Sequence, residues 1–326
     1  MSTLLSGLKS FARPSEKTGK ALVEITAVVT VTDDGGSSGR LRREFDVLPP
    51  GDIRNCMAAL CEDEAMLTQL FKYRFSAGRG LKGHSFGNLF LTALTHITGD
   101  FAHAVSLSSE ILAIRGNIYP STAANVELHA EMEDGTRVAG ETRISKTRSR
   151  IKRITLSPRR CEPLPETLAA IETADLISFG PGSLFTSVIP NLLVNGVPEA
   201  IVKSRAVKAY FCNLMWQPGE TVNFTASEHV AAIQRHSLKG ILDYAVVNTA
   251  PITSGLLQRY AHQRSLPVEN DFDELEKLGV KVLGDGLLME GEKVRHIPHV
   301  VAAIALKLAK HGRKRNLLEQ HTEKRK

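Results

Sequence analysis

The sequence predicts an α/β fold: a doubly wound, mostly parallel sheet with an α-rich insertion and a small antiparallel hairpin. Three observations carry that expectation. Short β-branched apolar runs alternate with amphipathic stretches from Glu166 onward, a helical apolar period fills most of residues 51–114, and Asp134-Gly135 separates two runs of alternating apolar and polar residues. The 326 residues, 42% hydrophobic and 23% charged, suffice for a full hydrophobic core.

In chain order, Leu4, Leu5 and Leu8 give an amphipathic helix over 2–9, and the β-branched run 21–31 reads as a doubly buried strand. Residues 33–50 read as loop, and 51–75 and 86–114 as helical, with apolar residues three and four apart. Residues 126–131 and 136–140 form the hairpin, whose antiparallel strands join the sheet. The regular part follows: helix 166–173, strand 176–179, helix 186–195, strand 206–213, helix 228–235, strand 244–248, helix 254–263 and strand 280–283. A last helix starts at Val300, with Val301, Ile304, Ala305 and Leu308 on one face. One domain over 1–309 and a charged tail without packed structure over 310–326 complete the expectation.

Composition narrows the function. The net charge of +6 comes largely from 310–326 and 143–153, runs that read as solvated surface. No aromatic residues interleave with them to make a stacking platform, so nucleic acid is not the expected partner. The longest apolar stretch, 177–194, is broken by Gly180, Pro181, Gly182 and Pro190, so no membrane span is expected. Cys56, Cys61, Cys161 and Cys212 lack metal or redox spacing and read as buried thiols. The N-terminus shows no signal-peptide pattern, which points to the cytoplasm.

Four loops carry chemistry, with packing alone as the competing account of each. In Asp33-Asp34-Gly35-Gly36-Ser37-Ser38-Gly39-Arg40, at the end of the first strand, glycine backbone N–H groups and serine hydroxyls can cradle phosphate oxygens. Arg40 can donate a bidentate pair of hydrogen bonds, and Asp33 and Asp34 can hold Mg²⁺ or ribose hydroxyls. In Pro50-Gly51-Asp52-Ile53-Arg54-Asn55, Asp52 is placed to cap a helix. Arg54 and Asn55 occupy its first turn, where an anion is favoured. Gly83-His84-Ser85-Phe86-Gly87-Asn88 opens another helix, with Ser85 and Asn88 on one face beside His84. Gly180-Pro181-Gly182-Ser183-Leu184-Phe185-Thr186-Ser187 is the most phosphate-specific, offering exposed backbone and three hydroxyls at a helix start. It lacks the lysine and spacing of a Walker loop. Asn213, ending the next strand, faces the same crevice. No serine, histidine and acid stand in a nucleophile-elbow context, so the catalytic residues stay unassigned.

In this order the four motifs resemble the gluconeogenesis-factor (YvcK-like) family of the CofD-like superfamily, which also holds the 2-phospho-L-lactate transferases. The resemblance extends to about Leu308. It implies a Rossmann-like fold that binds a nucleotide or nucleotide sugar such as UDP-N-acetylglucosamine. It also implies a regulated enzyme of cell-wall synthesis as partner, a role in cell shape and growth on gluconeogenic carbon, and a homo-oligomer. Ligand contact carries over to Asp33, Asp34, Gly35, Ser37, Arg40, Asn55, His84, Asn88, Gly180, Gly182, Ser183 and Asn213. The transferase alternative implies Mg²⁺ and transfer of phospholactate from a guanosine-linked donor to a deazaflavin. Family members begin with a strand and a GGGTG-like turn ahead of the first helix, a segment this sequence does not show.

Overall fold

The computed structural model describes residues 1–14, 19–61 and 66–323. Helix α1 (Ser2–Leu8) buries Leu4 and Leu5. A 3-10 turn over Lys9–Ala12 then leads to strand β1 (Thr26–Val29), shorter than its apolar run. Residues 33–50 are not all loop, because α2 (Gly36–Phe45) starts directly at the glycines. Its Gly and Ser residues hide it from propensity, and burial of Leu41, Ser37 and Ser38 outweighs that weakness.

Helices α3 (Gly51–Leu60), α4 (Met66–Lys72), α5 (Phe86–Thr98) and α6 (Phe101–Ile111) form the α-rich part. Ser85 and Asp100 cap α5 and α6 by accepting from the N–H groups of Asn88 and His103. Asp52 does not cap α3. The helix begins one residue before it, after Pro50, so Asp52 lies inside the first turn. Strand β2 (Asn117–Pro120) pairs parallel with β1, a partner the sequence did not mark.

The hairpin forms as β3 (Glu127–Met132) and β4 (Arg137–Ala139), but it does not join the parallel sheet. After the four-residue α7 (Glu141–Ile144), β5 (Ile151–Ser157) pairs with β3 and closes a separate antiparallel sheet in the order β4-β3-β5. The basic run is therefore partly structural. Arg150 bonds Glu228 at 2.6 Å and lies over the Phe224 ring at 4.5 Å, while Ile151 and Ile154 are buried.

Next come α8 (Pro165–Thr173), β6 (Leu176–Phe179), a π-helical turn over Leu184–Val188, α9 (Ile189–Leu192), α10 (Val197–Lys203) and β7 (Val207–Phe211). They are followed by α11 (Ala226–Arg235), β8 (Tyr244–Asn248), α12 (Ser254–Ala261), α13 (Phe272–Lys277) and β9 (Lys281–Asp285). The parallel sheet runs β6-β7-β8-β9. All five residues of β7 are buried, as a central strand covered on both faces requires. Val207, Ala209 and Phe211 face a core shared with Leu4, Val301 and Ala305, while Tyr210 faces the larger core with Phe179.

A short pair, β10 (Leu288–Met289) and β11 (Arg295–His296), precedes α14 (Pro298–Glu323). Up to Glu323 the expected unpacked tail is instead the continuation of this helix; its last residues, 324–326, lie outside the described residues. Arg315 donates Nη2 to the carbonyl of Ala206 at 2.8 Å, and Asn316 donates to Asp175 Oδ1 at 3.2 Å, tying α14 to the start of β7. All four cysteines are buried, and none forms a disulfide. Among the described residues, no single helix is long and apolar enough to cross a membrane.

Candidate functional site

The first loop leaves β1 and turns into α2. Asp33 Oδ1 accepts from the N–H of Gly35 at 2.8 Å. Asp34 Oδ1 accepts from the N–H of Thr142 at 2.8 Å and from its hydroxyl at 2.5 Å, fastening the loop to the start of α7. Gly39 lies so close that a Cβ there would meet the Asp34 carbonyl at 1.8 Å. Hence this turn admits no side chain at residue 39.

Behind the loop, α2 and α5 are cross-braced. Ser37 Oγ and His84 Nδ1 are 3.0 Å apart, and Asn88 donates Nδ2 to Ser38 Oγ at 3.4 Å and its backbone N–H to Ser85 Oγ at 3.3 Å. All five residues are buried. The motifs thus meet here, with their polar atoms turned toward one another. Burial, then the charge of Arg40, lowers the pKa of His84, which favours the neutral imidazole. Arg40 itself donates to the carbonyl of Lys82 at 3.0 Å. In α3, Arg54 donates to Asn55 Oδ1 at 2.6 Å.

The loop after β6 is built differently. Gly180 adopts φ +75°, and a Cβ there would approach the Phe211 carbonyl to 3.1 Å, so glycine is required where the loop crosses β7. Ser183 Oγ accepts from Gln217 Nε2 at 2.8 Å, and Gln217 Oε1 accepts from Asn213 Nδ2 at 3.0 Å. This chain joins the ends of β6 and β7 across the mouth of a cleft of about 700 Å³ lined by Gly182, Ser183 and Asn213. Thr186 turns inward, donating to Glu220 Oε1 at 3.1 Å, and Glu220 Oε2 accepts from the N–H of Phe185 at 3.1 Å. Ser187 stays half-buried on the outer side of the same turn.

Two carboxyl groups that the sequence reading did not single out connect these loops. Glu141, which accepts from Thr32 Oγ1 at 3.4 Å, lies within electrostatic reach of Asp52, Asp33, Glu220 and Asp34. Burial first, then those acids, pushes its pKa up to about 9. Burial likewise raises Asp52 to about 6, helped by Asp33, and Glu220 to about 7 against its own hydrogen bonds. No sequence signal marks Glu141, because its four-residue helix reaches the site only through the fold of the hairpin before it.

Carboxylate oxygens suit Mg²⁺, and Asp33 and Asp34 are the pair that would hold it. Asp34 Oδ1 is already engaged by Thr142, and no three metal-ligating side chains converge among the described residues. A Mg²⁺ ion here fits only as one shared with a ligand's phosphates, the usual way one or two carboxylates hold it.

Comparison with known proteins matches this geometry to a family. A family model described as 2-phospho-L-lactate transferase CofD matches residues 1–288. The chain is 47% identical to a gluconeogenesis factor of Bacillus subtilis over 95% of each chain. It is 50% identical to one of Halalkalibacterium halodurans over 91% of this chain and 89% of that one. Its structure is similar to the crystal structure of a UPF0052-family member from Bacillus halodurans, with a TM-score of 0.88 at 48% identity, covering 94% of this chain and 95% of that one.

Proposed function

The chain belongs to the CofD family, and on that premise we propose that it is a nucleotide-sugar receptor. It binds a UDP-sugar, foremost UDP-N-acetylglucosamine, in the cleft beside the loop after β6. Its occupancy regulates an enzyme of cell-wall precursor supply, and through it cell shape and growth on gluconeogenic carbon. The observation that supports this most is the Asn213–Gln217–Ser183 chain of hydrogen bonds. It ties two neighbouring strand ends together beside a glycine loop without ionisable side chains, and all three residues line a cleft of about 700 Å³.

In this reading the diphosphate meets the backbone N–H groups of Gly182 and Ser183 and the Ser183 hydroxyl, ahead of the Phe185 N–H that Glu220 already occupies. Asp33 and Asp34 serve ribose hydroxyls or a phosphate-bound Mg²⁺. Calorimetric titration tests it: UDP-N-acetylglucosamine is expected to bind saturably with one site per chain, and GDP more weakly. Equal, unsaturable heats for every nucleotide would reject the receptor reading.

The Ser37–His84 contact and the acidic residues opposite favour one second reading, transfer of phospholactate. There a deazaflavin hydroxyl attacks the donor phosphorus, the guanosine nucleotide leaves, and neutral His84 takes the hydroxyl proton. Product formation from a guanosine-linked phospholactate and a deazaflavin, lost in Asp34→Asn, would establish it.

A further inference from the structure

The cleft extends beyond the residues that a phosphate would use. A further arm of it is lined by Trp216, from the segment after β7, and by Tyr260 and Gln263, at and just after the end of α12. Trp216 is the chain's single tryptophan, and it stays half-exposed beside polar side chains. A large ring left partly bare in a polar cleft is a surface that gains from being covered.

The ring is held firmly. Trp216 donates its backbone N–H to the carbonyl of Leu266 at 2.8 Å and its indole Nε1–H to the carbonyl of Phe224 at 3.0 Å. Buried Ser265 donates Oγ to the Trp216 carbonyl at 2.6 Å and its N–H to the Tyr260 carbonyl at 3.1 Å, so one serine sets both aromatic residues. The Tyr260 hydroxyl accepts from the N–H of Val294 at 2.8 Å. Both donors of Trp216 are thus satisfied from within the protein, which leaves the faces of the indole without a polar task. The next residue, Gln217, donates to Ser183 in the β6 loop, so the neighbour of Trp216 in the chain ties this aromatic side to that loop.

We propose that this arm is a nucleobase subsite, in which the planar ring of a nucleotide lies against Trp216 while its phosphates stay at Gly182 and Ser183. The inference rests on the nucleotide reading above and adds to it the position of the base. An uncharged planar heterocycle gains dispersion and stacking on the indole, whereas a bare phosphate or a sugar phosphate leaves the arm empty.

Because the chain has a single tryptophan, emission excited where tyrosine does not absorb reports this subsite alone. UDP and UDP-N-acetylglucosamine are expected to change that emission saturably, with the midpoint found by calorimetry, while inorganic pyrophosphate and N-acetylglucosamine 1-phosphate leave it unchanged. Trp216→Leu should weaken UDP roughly tenfold and leave pyrophosphate unaffected, and Trp216→Phe, which keeps a ring, should restore most of the loss. Calorimetric binding of UDP with unchanged emission and with full affinity in Trp216→Leu would overturn the subsite and leave the receptor reading standing. Absence of heat with every nucleotide would overturn both.

Discussion

Two loops rich in glycine and serine leave the carboxyl ends of parallel strands here, and they are built with opposite electrostatics. The loop after β1 carries its own acids, Asp33 and Asp34, and spends an oxygen of each on backbone N–H groups at Gly35 and Thr142. The loop after β6, residues 180–187, has no ionisable side chain and takes its acid from elsewhere, Glu220 at Phe185 and Thr186. Similar composition at equivalent places in a sheet therefore does different work. The first loop fastens elements together and offers oxygens to hydroxyls or a cation. The second lines the cleft with Gly182 and Ser183, where the proposed reading puts the anion.

The sharpest way to break this comparison is to add one methyl group to each loop. In Gly39→Ala the new carbon would meet the Asp34 carbonyl at 1.8 Å, and backbone has to move. A loss of about 3 kcal/mol is expected, seen as a fall in Tm of roughly 4 °C. In Gly182→Ala the nearest atom is Ser187 Cβ at 3.6 Å, an ordinary contact, so Tm should hold while UDP-sugar affinity drops roughly tenfold. Equal Tm losses in the two variants would contradict the division of labour.

A smaller effect is expected at Asp34. Asp34→Ala removes the acceptor for Thr142 at the start of α7 and should cost about 1–2 kcal/mol in thermal unfolding. Ser183→Ala, whose hydroxyl meets only Gln217, should leave stability within about 0.5 kcal/mol and act on ligand affinity alone.

A separate effect concerns pH. Unfolded, Glu141 loses its proton near 4.5, whereas in the fold it keeps it up to about 9. The native state therefore binds the extra proton between those values, and stability declines as pH rises from about 4.5 toward 9. Glu141→Gln should flatten that decline and raise Tm at pH 8 by roughly 2–4 °C. A variant with the same pH profile as the parent would show that Glu141 is not the group responsible. Ionisation of Asp52, Glu220 and Glu141 in turn also adds negative charge beside the cleft, so affinity for an anionic ligand should fall over the same range.

How much of this is legible in the sequence differs between the same two regions. Strands β6 and β8 fall where their apolar runs lie, and β8, inside the sheet, has the burial that such a continuous hydrophobic segment implies. Gly180 to Ser183 is readable for the same reason, since it directly follows such a run. Helix α2 is not readable, because glycine and serine mask a segment that only tertiary burial makes helical. The lysines and arginines after residue 310 look like solvated tail, yet they are good helix formers, and Arg315 finds its acceptor only in the folded start of β7. Glu141 and Trp216 enter the site through long-range packing that no local pattern records.

The crystal structure of the chain with UDP-N-acetylglucosamine tests the central claim most directly. The account predicts the diphosphate against Gly182 and Ser183, with a ribose hydroxyl or a phosphate-bound Mg²⁺ at Asp33 and Asp34. A nucleotide whose phosphates instead lie against the Asp33–Gly39 loop, with the β6 loop empty, would contradict it.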